Sequence, residues 1–163
     1  MKRAIGAALM LGAALVQVTW APRIEVLGAF PNLVLIAVVA LTWTRGVRAG
    51  MAWACVGGLF LDLTAAGPLG PHALGLLTGA YLTGFWTRNL DRQSAVQIAL
   101  AAAVSTAAYS LVLVGSDDTL GLPVPPLAIA AELTLAACAY NAVLMPPALA
   151  LLRKARLTAA EAV

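Results

Sequence analysis

The sequence predicts an all-α integral membrane protein: one transmembrane domain over residues 1–163, built of six transmembrane helices with both termini in the cytoplasm. Three observations carry this reading. The first is composition, 62% hydrophobic and 10% charged, where a soluble domain runs at about 45–50% apolar and about 25% charged; the mean hydropathy is +0.92. The second is that the apolar residues fall into six runs separated by charged or Gly/Pro-rich stretches. The third is the distribution of basic residues. With six spans, Lys2, Arg3, Arg45, Arg48, Arg88, Arg92, Arg153, Lys154 and Arg156 fall on the side of the termini, and Arg23 alone falls opposite. An excess of Lys and Arg marks the cytoplasmic side. A five-span reading, with the second run re-entrant, scrambles this segregation. The formal charge of +3 therefore reports orientation and not a nucleic-acid footprint, and too few residues lie between the runs for a soluble catalytic module.

The runs place helices at about 4–20, 31–44, 49–64, 72–87, 94–114 and 127–152. The first follows Lys2-Arg3 and ends at Trp20, an indole suited to the interface. A basic start and an apolar run also describe a signal peptide, but this run exceeds the usual apolar core of about 7–15 residues, so it is read as retained. Residues 21–30, with Pro22, Arg23, Glu25 and Gly28, form a loop. Pro31 suits the first position of the second helix, where its missing N–H would be unpaired anyway. That helix is short for a crossing and is expected either to enter the membrane part-way or to include Ala29-Phe30. The third helix ends near Thr64, before the Gly/Pro-rich turn 65–71, and Pro71 or His72 opens the fourth. The fifth leads to a polar turn, Gly115-Ser116-Asp117-Asp118-Thr119, read as solvated. The sixth contains Pro146-Pro147, expected to kink it.

Chemistry-bearing residues are few. A carboxylate facing lipid costs roughly 2.5–3.5 kcal/mol on insertion scales, so Asp62 and Glu132 need partners, a cavity or a helix end. Asp62 stands before the turn, where it is expected to tie the third helix to the positive N-terminus of the fourth. Glu132 lies five residues into the sixth helix, roughly 8 Å inward. Gly46, Gly50, Ala54, Gly58 and Asp62 follow one another at four-residue steps, a ridge of small residues that lets helix backbones approach closely. Gly75 and Gly79 repeat the spacing in the fourth helix, and Ala4 and Ala8 in the first. Cys55 and Cys138, mid-run and unpaired in spacing, read as small packing residues. No zincin, nucleophile-elbow, phosphate-loop or cysteine-cluster motif is present, so neither an enzyme, a metal nor a cofactor is expected.

A family pattern emerges from these residues. Pro31-Asn32-Leu33-Val34-Leu35, Arg45-Gly46, Gly57-Gly58-Leu59-Phe60-Leu61-Asp62, Pro68-Leu69-Gly70 with Ala73-Leu74, and Gly79-Ala80-Tyr81-Leu82 occur in an order and spacing that resemble the rod shape-determining protein MreD family. Members commonly carry Pro-Asp where this chain has Pro31-Asn32, a departure that removes a charge. The resemblance implies a non-catalytic scaffold of the bacterial elongation (rod) complex in the inner membrane. Its implied partners are the bitopic protein MreC, the actin-like MreB filament, the SEDS glycosyltransferase RodA and a class B penicillin-binding protein, which together build side-wall peptidoglycan. The family is also similar in fold to the substrate-binding S components of energy-coupling-factor vitamin transporters, which sets the alternative. In that alternative Ala4 and Ala8 dock a coupling subunit, and Glu132, Asp62 and Arg23 line an outward pocket. Short outer loops poor in aromatic and polar residues favour the scaffold. The structural or interaction candidates are Pro31, Asn32, Gly46, Gly50, Ala54, Gly57, Gly58, Asp62, Leu69, Gly70, Gly75, Gly79 and Glu132, with small-residue grooves expected to bind the transmembrane helix or membrane-proximal region of the partner.

Overall fold

The computed structural model describes residues 2–20, 23, 25, 28–65, 67–88 and 94–161, with side chains given for Ala8 and from Met10 in the first helix and up to Arg153 in the last. Among the described residues it contains six helices: α1 (Lys2–Thr19), α2 (Leu33–Arg45), α3 (Val47–Thr64), α4 (Pro71–Trp86), α5 (Ala95–Thr119) and α6 (Leu127–Glu161). Among the described residues three stretches, Val47–Thr64, Ala95–Thr119 and Leu127–Arg153, are long and apolar enough to cross a membrane.

The bundle is organised around α2. Its residues Val34, Val38, Val39 and Ala40 are fully buried, and it packs against each of the other five helices. The chain wraps it in the order α1, α3, α4, α5, α6, each in contact with the next, while α1 and α6 do not touch among the described residues. The ring is thus open between its first and last members. At thirteen residues α2 is only about 20 Å long, short of the roughly 30 Å hydrocarbon core. Its non-helical approach is tolerated because it lies inside protein, where neighbouring side chains satisfy the backbone.

The outer face is apolar, and the interior combines many small residues with larger ones such as Trp43 and Met145. Leu63, Leu111, Leu127, Leu135 and Val143 are each more than two-thirds exposed, while Ala14, Ala54, Ala80 and Ala101 are fully buried. A soluble chain would not present so continuous an apolar surface; a bilayer is its natural solvent.

The small-residue ridge of α3 is a helix–helix contact, but within the chain. A Cβ on Gly50 would run into Thr42 of α2, and one on Gly58 would run into the backbone of Ala73 in α4. A Cβ on Gly57 would lie 2.7 Å from Val34 Cγ1, and Ala54 has no exposure. At Gly50 and Gly58 the surface expected to receive a partner helix is thus taken by α2 and α4, while a Cβ on Gly46 would meet nothing within 4 Å. Gly75 and Gly79 are likewise spent internally, under Tyr109 and against Leu35 and Ser105. Gly46, with φ +89, ends α2 and starts α3 in one residue.

Three boundaries differ from expectation. Pro31 is not the first residue of α2; Asn32 caps the helix through its side chain, so Leu33 opens it. The polar stretch 115–119 is helical. Gly121, at φ +68, ends α5 instead, with Leu122 N–H donating to Asp117 O (2.9 Å) and Gly121 N–H to Asp118 O (3.1 Å). This paired arrangement is the Schellman motif, in which the glycine after the helix takes the left-handed conformation. Pro146 and Pro147 lie inside a helix that continues to Glu161; proline there removes the donors for two carbonyls one turn earlier without ending it.

Candidate functional site

The turn around Asp62 is a helix cap made by a neighbouring helix. Gly70, at φ +117, places Pro71 as the first residue of α4. The helix then needs acceptors for its first free N–H groups. Pro71 has none to offer. His72 N–H donates to Asp62 Oδ1 (3.0 Å), Ala73 N–H to Asp62 Oδ2 (3.2 Å), and Leu74 N–H to Gly70 O (2.9 Å). The Asp62 carboxylate is 2% exposed, and it lies where the helix dipole is positive. Both oxygens are engaged, so Asp62 ties α3 to α4 as its position in the sequence suggested. Leu69, in the same turn, is exposed.

The N-terminus of α2 repeats this solution with neutral groups. Leu35 N–H donates to Asn32 Oδ1 (2.8 Å), Val34 N–H to Gln17 Oε1 of α1 (3.1 Å), and Asn32 N–H to Asn141 Oδ1 of α6 (3.0 Å). The Asn141 amide then donates to Thr106 Oγ1 of α5 (3.0 Å), whose hydroxyl donates to Ala102 O (2.7 Å). Asn141 has no exposure, Thr106 2% and Gln17 7%. Four helices thus meet at one buried polar knot. An unmade bond there leaves a buried N–H unsatisfied, at about 1–3 kcal/mol each. Beside it His72 Nδ1 and Tyr109 OH lie 2.6 Å apart, their rings stacked at 6.0 Å. This second knot also joins α4 to α5, as do the Thr83–Ser105 hydroxyl pair (2.9 Å) and the Ser105 bond to Gly79 O (3.2 Å).

Both knots border a cavity of about 680 Å³. Its lining comes from the C-terminal parts of α1, α3 and α5, the N-terminal parts of α2, α4 and α6, and residues 28–30. The helices therefore alternate in direction, and the cavity lies at the end of the bundle away from the chain termini. Thr106 and Asn141 mark its inner end, Asp117 and Pro125 its mouth; from Thr106 to Asp117 along α5 is about 16 Å.

Several residues singled out in the sequence lie apart from the cavity. Asp62, Glu132 and Arg23 do not line it. Glu132 is exposed on the outer face of α6. It lies about 32 Å along the helix from Arg153. Asp117, read as part of a solvated turn, lines the cavity mouth. Arg23 stacks its guanidinium 5.5 Å from the ring of Trp20, which is 62% exposed. Both thiols are free: Cys55 is exposed rather than packed, and Cys138 donates to Ala103 O (3.2 Å). The side chain of Ala4, and Pro22 and Arg92 altogether, lie outside the described residues. Among the described residues no cluster of three or more His, Cys, Asp or Glu side chains forms a metal site.

Comparison with known proteins turns on one finding. The family model for the rod shape-determining protein MreD matches residues 2–155, nearly the whole chain. The chain belongs to the MreD family. No curated protein and no solved structure matches it. Membership of the MreD family gives the chain a role in rod shape determination, and MreD is a structural component of that system. The match runs through α1 to α6, so both polar knots and the cavity lie within the MreD region.

Sequence reasoning missed Gln17, Thr106, Tyr109 and Asn141. It looked to charges, and these are neutral. Their signal was available: an amide at Asn141 and another at Gln17 stand alone within apolar runs, where an unpaired polar group is costly.

Proposed function

We propose that this MreD-family chain is a non-catalytic scaffold of the bacterial elongation complex: an inner-membrane protein of six spans in one transmembrane domain, termini in the cytoplasm, that binds MreC and so supports peptidoglycan synthesis beside the MreB filament, RodA and a class B penicillin-binding protein. The family match over residues 2–155 carries this reading. Two features support it. The basic residues segregate to the terminal end of the bundle, which orients that end to the cytoplasm and the cavity outward. The buried polar groups of the α2 knot are also engaged with one another, as in a structural frame, and both oxygens of Asp62 are taken by backbone N–H groups. The transporter S-component alternative is not favoured by any observation beyond the existence of a cavity.

With the α3 ridge occupied, the partner helix is assigned to the outer face of α1. Ala8 is exposed there, and a Cβ on Gly12 would meet nothing within 4 Å, leaving a notch for close backbone approach in lipid. In detergent co-purification, Gly12→Leu is expected to lower MreC recovery about tenfold, the equivalent of 1.4 kcal/mol, with the level of the chain itself unchanged. Unchanged recovery would move the contact to another face. Failure of the wild-type chain to recover MreC would sink the scaffold reading.

A further inference from the structure

The outer face shared by α3 and α4 is a groove with a charged end and an apolar track. Gly84 of α4 packs on Val47 of α3, where an added Cβ would lie 2.6 Å from Val47 Cβ, and Gly58 of α3 packs on Ala73 of α4. The two helices therefore run antiparallel along one contact line. In each, the residue after a contact residue is turned by about 100° around the axis. For two antiparallel right-handed helices, that turn leads to the same side of the pair. On that side α3 presents Arg48, Met51, Cys55 and Leu59, and α4 presents Tyr81 and Phe85 with Arg88 one turn on; all are exposed. α2 meets α3 on the other side, through Gly50 and Gly57, so Arg45, which ends α2, lies across α3 from the groove.

Arg48 and Arg88 flank the groove where the start of α3 meets the end of α4, at the end of the bundle that carries the chain termini. No carboxylate stands on the groove among the described residues. Asp62 is bound to the start of α4, about 24 Å from Arg88 along that helix. Asp117 and Asp118 in the last turn of α5, and Glu132 near the start of α6, belong to the same far end; Asp91 lies outside the described residues. Below the two arginines the groove is apolar for the depth of one leaflet: from Arg48 to Leu59 is about 16 Å, half of the roughly 30 Å hydrocarbon core. Orienting the chain needs only an excess of basic residues on one side. It does not need two guanidiniums drawn together on ordered helix ends above an apolar track.

We infer that this end of the α3–α4 groove binds an anionic phospholipid, with its phosphate between Arg48 and Arg88 and its acyl chains along Met51, Cys55 and Leu59 on one wall and Phe85 and Tyr81 on the other. A guanidinium matches phosphate oxygens in pairs, and each basic residue at the membrane surface strengthens the attraction of anionic lipid about fivefold. A zwitterionic lipid brings its own ammonium, which competes with the arginines for the phosphate. The site uses neither α1 nor the outward cavity, so it fails separately from the scaffold reading.

The exposed thiol of Cys55 stands on the apolar track and serves as the reporter. The full chain, with Cys138→Ser so that one thiol remains, is labelled with bimane and reconstituted into vesicles of brominated phosphatidylcholine, whose bromines quench the label. Unbrominated phosphatidylglycerol is then titrated in. Fluorescence is expected to recover ahead of the phosphatidylglycerol mole fraction, giving a preference of about twentyfold over phosphatidylcholine. Arg48→Gln and Arg88→Gln are each expected to lower that preference about fivefold. Arg45→Gln removes the same charge three residues from Arg48 and is expected to leave it unchanged. Should Arg48→Gln not accumulate, Arg48→Lys keeps the charge but loses the paired hydrogen bonds, and it too is expected to lower the preference. Fluorescence that follows the mole fraction, or an equal loss from Arg45→Gln, overturns the inference and leaves the arginines to set orientation alone. Displacement of the lipid by excess glycerol 1-phosphate also overturns it, by making this a site for a soluble phosphate.

Discussion

Gly58→Leu is expected to abolish accumulation of folded protein. At Gly58 even a single added carbon would run into the Cα of Ala73, and would lie 2.7 Å from its N and 2.9 Å from its Cβ. These are backbone and near-backbone atoms at the start of α4, with no flexible side chain to swing aside. Overpacking alone costs typically about 1–3 kcal/mol. Here the cost compounds, because pushing α4 outward also pulls His72 and Ala73 off the Asp62 carboxylate. Against a total stability of about 5–15 kcal/mol, the variant is expected to lose most of its monodisperse yield in size-exclusion chromatography after detergent extraction. Gly12→Leu, where no atom lies within 4 Å of the added Cβ, is the matched control and is expected to elute as the wild type. A Gly58→Leu protein with normal yield and melting would mean that α3 and α4 are farther apart than described.

Asp62→Ala is expected to destabilise the chain by about 2 kcal/mol. The substitution leaves the His72 and Ala73 N–H groups without acceptors at the buried start of α4, at about 1–3 kcal/mol each, partly offset by no longer burying a carboxylate. In a chain of this size that corresponds to a fall of about 4–8 °C in the melting midpoint, measured by tryptophan fluorescence in detergent. The turn at 65–71, no longer anchored at its far end, is expected to become the first site of limited proteolysis. An unchanged midpoint would show that water or the Gly70 carbonyl satisfies the helix end without Asp62.

How much of this was legible in the sequence differs from element to element. The six helices were, because an apolar run interrupted by Arg-Gly or Gly-Pro leaves the backbone few alternatives. The role of Asp62 was legible too, since a carboxylate one turn before a Gly-x-x-Gly-Pro break has a helix N-terminus within reach. The end of α5 was misplaced at Gly115 because two glycines competed. Only Gly121 adopts the left-handed conformation that terminates the helix, and periodicity does not distinguish them. The α3 ridge was recognised but its partner was not: spacing shows that a helix can be approached closely, not which helix does so. Here α2 and α4 do. An outward pocket was considered with Glu132, Asp62 and Arg23 as its lining, but its actual lining was illegible, because residues 17, 32, 72, 109 and 141 come together there from distant parts of the sequence. Glu132 misled for a related reason. It was considered for an outward pocket, but it is exposed on α6 and does not line the cavity.

The central claim is that the buried polar groups hold a frame together and do no chemistry, so that shape determination rests on binding. Asp62→Asn tests it most directly. Asparagine keeps a carbonyl oxygen for the His72 N–H, and asparagine and aspartate serve almost equally as helix caps, while the charge is removed. In a rod-shaped bacterium whose own copy is replaced by the variant, measured as cell width and length at equal protein level, Asp62→Asn is expected to sustain rods. Round cells from an Asp62→Asn protein that accumulates and melts like the wild type would show that the carboxylate charge itself acts in shape determination, and would contradict the account.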